Sequence, residues 1–151
     1  MGSTLTTTNL LVTITEAFTS NGQPLSYTNQ VTFAGIKPND ARVMSIPFAS
    51  EITVVDFAAA AAAGTFIAAN VKYIRITNKD DTNFVRIRVT KSGSQTFDVK
   101  INPGTSFILS NVKESANTGG GAFSAFVDAD NISAQADTSP VDIEYVVASV
   151  S

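Results

Sequence analysis

Apolar and polar side chains alternate along most of this chain, and this pattern limits the fold more than any other feature. Leu10, Val12 and Ile14 fall on one face of an extended segment, while Leu11 and Thr13 fall on the other. A period of two residues is that of a β-strand, and no long helical pattern competes with it. The first segment is therefore predicted to be a half-buried strand.

The same alternation recurs between turn signals farther along the chain. Turns are predicted at Ser20-Asn21-Gly22-Gln23-Pro24 and at Lys37-Pro38-Asn39-Asp40, a type II turn at Asn102-Pro103-Gly104 and a loop at Asn117–Gly121. Further strands are predicted at residues 25–34, 42–48, 51–57, 71–77, 84–90, 96–101, 107–110, 122–129, 132–136 and 141–150. The expected fold is all-β: a single antiparallel β-sandwich domain over residues 1–151, jelly-roll-like, with roughly nine or ten strands.

Six consecutive alanines, Ala58–Ala63, interrupt this pattern. Alanine has the highest helix propensity, and Asp56 could cap one short helix. A run of this length is marginal as a helix without tertiary support, and strand-like sequence lies on both sides. The alternatives are one short helix and a tight extended or loop segment.

The chain has neither cysteine nor histidine. Catalytic triads that need histidine, cysteine nucleophiles and Cys/His zinc sites are therefore excluded. Asp142 and Glu144 share a strand face, but alternating charge on a solvated face explains them as well as a glycosidase pair does. We predict a protein that is not an enzyme and has no cofactor.

Two groups of acidic loop residues have side-chain oxygen atoms of the kind that bind calcium, but neither group matches a complete calcium-binding loop. One group is Asp80 with Asp81, and the other is Asp128 with Asp130 and Asn131. An EF-hand loop begun at Asp128 would lack its central glycine and its final glutamate. These residues are therefore predicted to lie in solvent or to cap turns, and no metal site is expected.

The charge balance bears on the class of partner. The net charge is −3 and the pI is near 4.7, which argues against nucleic acid as a partner. Residues 54–69 are interrupted by polar positions, so no membrane-spanning segment is expected. Only 15% of the residues are charged. A polar but weakly charged surface is cheap to desolvate, which suits packing against copies of the chain or a partner.

Residues 71–77 and 84–90 are predicted to pair as a hairpin around a polar loop. In that register Arg75 stands opposite Arg86, so two cations face each other and acidic groups are needed nearby. The candidate interface residues of this hairpin are Tyr73, Arg75, Arg86 and Arg88.

Two interpretations of these arginines stay open. In the first, Asp98, Asp142 or Glu144 neutralises them within the chain while Arg88 stacks on Tyr73. In the second, they form a basic ridge that docks on an acidic patch of a neighbouring subunit. Residues 1–9 are a candidate N-terminal arm, with Thr4–Asn9 suited to strand addition to a neighbour.

The segment Tyr73–Val85 reads YIRITNKDDTNFV, and it resembles a hairpin pattern, YIRxTNxDxTNxV, of small β-sandwich virion proteins of tailed bacteriophages. Asn102–Leu109, which reads NPGTSFIL, is similar to a second element of those proteins, a Pro-Gly turn that leads into an apolar strand. Ala63–Phe66, which reads AGTF, is similar as well. The resemblance covers mainly residues 71–111.

The resemblance implies a capsid decoration (cement) protein on the outer head surface of a virion. Its partners would be the major capsid protein or other virion subunits, and it would form a homo-oligomer, with a trimer favoured. A head or tail fibre domain or a tail component is the alternative within this class. A carbohydrate-binding β-sandwich module is an alternative from another class, although the chain has no tryptophan for a sugar platform.

Overall fold

A computed structural model describes residues 6–60, 62–91, 95–109, 115–116, 124–125 and 129–150. The strands, in chain order, are β1 (Thr8–Ser20), β2 (Gln23–Ile46), β3 (Ile52–Phe57), β4 (Thr65–Phe66), β5 (Val71–Asn78), β6 (Val85–Lys91), β7 (Gln95–Ile101), β8 (Ser106–Leu109), β9 (Ser115–Ala116), β10 (Ser124–Ala125), β11 (Ala129–Ala136) and β12 (Val141–Val150). One short 3-10 helix spans Ala68–Asn70. Within these ranges no helix is long and apolar enough to cross a membrane. The prediction of an all-β fold is confirmed.

Ten of the strands form two five-stranded sheets. The first sheet has the order β1-β2-β12-β5-β8, and the second has the order β4-β3-β11-β6-β7. Neighbouring strands are antiparallel except β3 and β4, which are parallel. Strands β9 and β10 pair as a separate two-stranded sheet. The central strand of each large sheet, β12 or β11, is thus the one that comes last in the sequence.

The inward-facing side chains of the two large sheets form one hydrophobic cluster. Fully buried members are Ile74, Ile76 and Ile143 from the first sheet and Val85, Ile87 and Ile132 from the second. Burying an aliphatic side chain of this size stabilises a fold by about 1.5–3 kcal/mol. This shared core holds the two sheets together.

Strand β2 continues through residues 37–40 without a turn, so the turn predicted there is wrong. Ile36 pairs with Val150 and Asn39 pairs with Ala148, which leaves two residues of β2 opposite Ser149 alone. This register shift is a β-bulge. A proline fits at a bulge because the hydrogen-bond ladder is already interrupted there, so Pro38 does not end the strand.

The two halves of β2 have different partners. Strand β1 pairs with residues 23–36 of β2, whereas β12 pairs with residues 36–46. Residues 8–36 are therefore a two-stranded extension of the first sheet, here named the ribbon. At about 3.4 Å per residue its length is about 40 Å. The turn predicted over residues 20–24 is confirmed: Ser20 pairs with Gln23, and Asn21 and Gly22 between them have the positive φ angles of a two-residue hairpin turn, 48° and 79°.

Strands β5 and β6 do not form the predicted hairpin. Strand β5 pairs with β12 and β8 in the first sheet, and β6 pairs with β11 and β7 in the second. Residues 79–84 therefore connect the two sheets as an arch. The prediction is wrong because β5 pairs with β12 and β6 pairs with β11, strands far away in the sequence that the local pattern does not reveal as partners.

The arch is anchored by Asn78, which is fully buried at the end of β5. Its side-chain Nδ2 donates to the main-chain oxygens of Asn83 at 2.8 Å and Ile101 at 3.1 Å. Its Oδ1 accepts the backbone N–H of Asp80 at 2.9 Å. One amide side chain thus joins the end of the first sheet to β7 in the second.

The alanine run resolves in favour of the loop. Ala62 bridges to Thr65 through a turn at Gly64, whose φ is 76°. The N–H of Ala58 donates to the oxygen of Phe66 at 3.0 Å. The bridge and this hydrogen bond hold the segment against β4, and no described residue of the run is helical.

The type II turn is confirmed: the N–H of Thr105 donates to the oxygen of Asn102 at 3.1 Å, and Gly104 has a φ of 68°. The loop predicted at residues 117–121 lies outside the described residues. So do residues 1–5 of the candidate N-terminal arm, while Thr8 and Asn9 belong to β1.

Candidate assembly surface

Arg86 and Arg88 project outward from β6 between two carboxylates. Nε and Nη2 of Arg88 donate to the two oxygens of Asp98, each at 2.8 Å. Glu51 lies 2.6 Å from Nη2 of Arg86 and 3.2 Å from Nη1 of Arg88, and it accepts the hydroxyl of Ser133 at 2.6 Å. Each of these two arginines is therefore matched by a carboxylate on this face of the second sheet.

Arg75 lies on the outward face of the first sheet. Its guanidinium forms an ion pair with Glu144 and donates a hydrogen bond to Thr77. Tyr73, two residues earlier, is buried, and its ring lies 6.1 Å from that of Phe33, centroid to centroid. This positive charge is also matched within the chain.

The structure divides the four candidate interface residues into two sites. Tyr73 and Arg75 face outward from the first sheet, and Arg86 and Arg88 face outward from the second. The expected facing of Arg75 and Arg86 and the expected stacking of Arg88 on Tyr73 are wrong, because β5 and β6 lie in different sheets. Neutralisation within the chain is confirmed, and a docking role for these residues stays a prediction.

The ion pairs make the stability depend on pH. The hydrogen bond from Arg88 lowers the pKa of Asp98, and the hydrogen bond from Arg75 lowers the pKa of Glu144. A carboxyl whose pKa is lower in the folded state stabilises the fold above its unfolded pKa, which is near 4, and loses that effect as the pH falls through the folded pKa. Both carboxylates are about one-third exposed, so solvent screening keeps the effect small.

We therefore expect the free energy of unfolding, measured with urea, to decrease between about pH 5 and about pH 3. Asp98→Asn should remove part of this decrease. Asp142→Asn is the matched control, since Asp142 is exposed and has no side-chain hydrogen bond or ion pair within the described ranges. An equal loss of pH dependence in both variants would contradict the assignment.

Asp80 caps the arch. Its Oδ1 accepts the N–H groups of Thr82 at 2.7 Å and Asn83 at 2.6 Å, and these backbone hydrogen bonds lower its pKa. This agrees with the prediction that the acidic residues of this loop cap a turn. Over the described part of the chain, no group of three or more acidic side chains could hold a metal ion.

One face of the ribbon is apolar. Residues that pair directly across two strands share a face, as Phe18 and Leu25 do, or Val12 and Val31. Here named the apolar face, this surface consists of Leu10, Val12, Ile14, Phe18, Leu25, Tyr27, Val31 and Phe33, with Glu16 and Asn29 as polar interruptions. The opposite face is mostly threonine, serine and glutamine.

The apolar face is covered only at its base. There, Leu10, Val12 and Phe33 pack against Tyr73 and its neighbours on the outward side of the first sheet. Toward the turn, the five large side chains are exposed by 38% to 58%: Ile14, Phe18, Leu25, Tyr27 and Val31. The prediction that this first strand is half-buried is therefore wrong for its distal part.

The edges of the ribbon are also open. In the described ranges, β1 pairs only with β2, and residues 23–35 of β2 pair only with β1. The outer N–H and C=O groups of both strands are free to accept a further strand. A two-stranded sheet open in this way is marginally stable in water by itself, so the ribbon is suited to being covered by another molecule.

No protein-family model and no curated protein matches this chain. One solved structure, from "Bacillus endospore appendages form a novel family of disulfide-linked pili", is 12% identical to it with a TM-score of 0.40, and the match covers 76% of this chain and 88% of that chain. The present chain has no cysteine, so the disulfide linkage of those pili has no counterpart in it. A similarity of this size does not assign a family.

Proposed function

We propose that this protein is a non-enzymatic structural component of a tailed-phage virion, specifically a capsid decoration protein. It would bind the outer head surface, with the major capsid protein as its partner, and stabilise the capsid. The observation that supports a structural role is the ribbon, about 40 Å long, whose distal apolar face and both edges are uncovered. Large exposed apolar patches mark interaction sites.

The strand order supports the same proposal. Without the ribbon strand β1 and the two-residue strand β4, the sheets read β2-β12-β5-β8 and β3-β11-β6-β7. This order supports the predicted jelly roll, in which two four-stranded sheets are built from two Greek keys, an architecture found in viral capsid proteins and also in lectin domains and cupins. The motif that resembles phage virion proteins, residues 73–85, contains most of β5 and the whole arch between these sheets.

Two alternative functions can be distinguished from a capsid decoration protein by experiment. A head or tail fibre domain or a tail component would use the ribbon in the same way at another place in the virion. A carbohydrate-binding module is favoured by one observation: Phe18 and Tyr27 are exposed aromatic residues whose ring centroids lie 6.0 Å apart. Exposed aromatic faces are suited to stacking on sugars.

The proposal is tested by immunogold electron microscopy of tailed-phage particles from the source of the sequence, with an antibody raised against the recombinant protein. We expect gold on the head surface. Gold on fibres or tails would favour the first alternative, and particles without gold would contradict a virion location. Binding of the recombinant protein on a glycan array, lost in a Tyr27→Ser variant, would favour the carbohydrate-binding module.

A further inference from the structure

We infer that the apolar face of the ribbon packs against the apolar face of a second copy of this chain. The inference names the partner of the ribbon and so rests on the proposed structural function. It concerns contacts between copies of this chain, whereas the decoration proposal concerns where the protein is located.

Charge favours a second copy as the occupant. Between Thr8 and Ile36, Glu16 is the only charged side chain. Partners rich in one sign of charge, such as nucleic acid or an acidic protein surface, are normally matched by opposite charge. A nearly neutral apolar surface lacks such a match, but it can pack on an identical surface with little like-charge repulsion.

Geometry favours packing face to face. Each apolar face is built from two alternating strands, with Glu16 and Asn29 as its polar positions, and its other side carries polar residues such as Thr15 and Thr28. Two such faces about 10 Å apart interdigitate as the layers of a sandwich do and leave the polar sides in water. The ribbons would then form a small core continuous with the cluster around Tyr73.

The exposed apolar area of the ribbon indicates how tightly two copies would associate. The five exposed side chains offer about 400 Å² of apolar surface, taking about 150–250 Å² for a large side chain. A stable interface of standard size buries about 800 Å² on each partner. We therefore expect an association that depends on protein concentration, with contacts added when copies are held together in a larger assembly.

Sedimentation velocity over a hundredfold range of concentration tests the inference on the purified protein. Wild-type protein should shift from monomer to a larger species as the concentration rises. Phe18→Ser should raise the dissociation constant about thirtyfold or more, since truncating an aromatic residue that anchors an interface typically costs about 2 kcal/mol or more. Leu11→Ser is the matched control: Leu11 and Phe18 are exposed by 56% and 51% on opposite faces of the ribbon, and this variant should associate like wild type.

Two further variants sharpen the test. Glu16→Gln removes the single charge on the apolar face and should strengthen association about tenfold, because an ionised carboxylate is costly to bury. Removing residues 14–19 and 24–29 deletes six paired positions, so it keeps the Asn21-Gly22 turn and the face alternation. The shortened chain should be monomeric and fold normally by circular dichroism.

Several outcomes would overturn the inference. Wild-type protein that is monomeric at every concentration would do so, as would an equal effect of Phe18→Ser and Leu11→Ser. Monomeric protein that instead sediments with phosphatidylcholine vesicles would show that lipid covers the face. Protein that self-associates through the apolar face but labels no phage particle would support this inference and remove the virion location, so the two failures are distinct.

Discussion

Replacing Asn78 with leucine should lower the free energy of unfolding by about 3 kcal/mol or more, because each buried polar group that loses its partner costs about 1–3 kcal/mol. Leucine is close to asparagine in size but cannot form hydrogen bonds. The substitution would leave the carbonyl oxygens of Asn83 and Ile101 and the N–H of Asp80 without the bonds they make to this side chain. Chemical denaturation monitored by circular dichroism measures the loss.

Asn131→Leu is the control for this variant. Asn131 lies in β11, is only partly buried, and makes no side-chain hydrogen bond to another described residue. Its substitution should change the free energy of unfolding by about 0.5 kcal/mol or less. If the two variants were equally stable, Asn78 would not anchor the arch, and the crossing between the sheets would need another explanation.

Ile132→Ala should lower the free energy of unfolding by about 2–5 kcal/mol, the range typical of large-to-small substitutions in a core. Ile132 is fully buried in β11, where it pairs with Val55 on one side and Val89 on the other. The substitution removes apolar contacts and leaves a cavity that neighbouring strands, fixed by their hydrogen bonds, cannot close. Equilibrium unfolding in guanidinium chloride gives the value.

The comparison for Ile132 is Leu11→Ala on the polar face of the ribbon. Leu11 is 56% exposed, so its truncation should cost about 0.5 kcal/mol or less. The pair tests whether the stability of the protein comes from the core between the sheets. A large loss in Leu11→Ala would mean that the ribbon unfolds together with that core.

Most strands could be predicted from the sequence because alternation is a local signal. Val71–Asn78 and Val141–Val150 match their predicted positions within one residue, and Ile52–Phe57 does as well. The turn at Asn102-Pro103-Gly104 followed from residues whose backbone preferences are strong. In each case the residues concerned determine the local structure by themselves.

Which strands pair with each other could not be predicted from this local signal. The six polar residues after Thr77 suit a hairpin and an arch equally well, and only pairing with β12 and β11, more than forty residues away, decides between them. Lys37-Pro38-Asn39-Asp40 has the composition of a turn, yet its role depends on a bulge opposite Ser149. Both errors concern long-range pairing.

The candidate site shows the same limit. The sequence correctly indicated that carboxylates lie beside Arg75 and Arg88, although the facing of Arg75 and Arg86 from which this was inferred does not occur. It did not separate the two sites, which lie on different sheets. The ribbon was missed as a surface because the alternation of Leu10, Val12 and Ile14 is the same whether or not another layer covers it. The Asn21-Gly22 turn was the available signal for its hairpin.

The central positions of β11 and β12 have a consequence for how the chain folds during synthesis. Both strands of the ribbon have left the ribosome once Ile36 has emerged, because they are adjacent in sequence, although a hairpin of this kind is only marginally stable by itself. Strands β2 and β5, by contrast, stay apart until β12 is made and inserts between them, and β3 and β6 wait in the same way for β11. The main body thus folds only after β11 and β12 have been made, while the apolar side chains of the two ribbon strands are exposed long before. A nascent chain is therefore able to meet other copies before it has a core of its own.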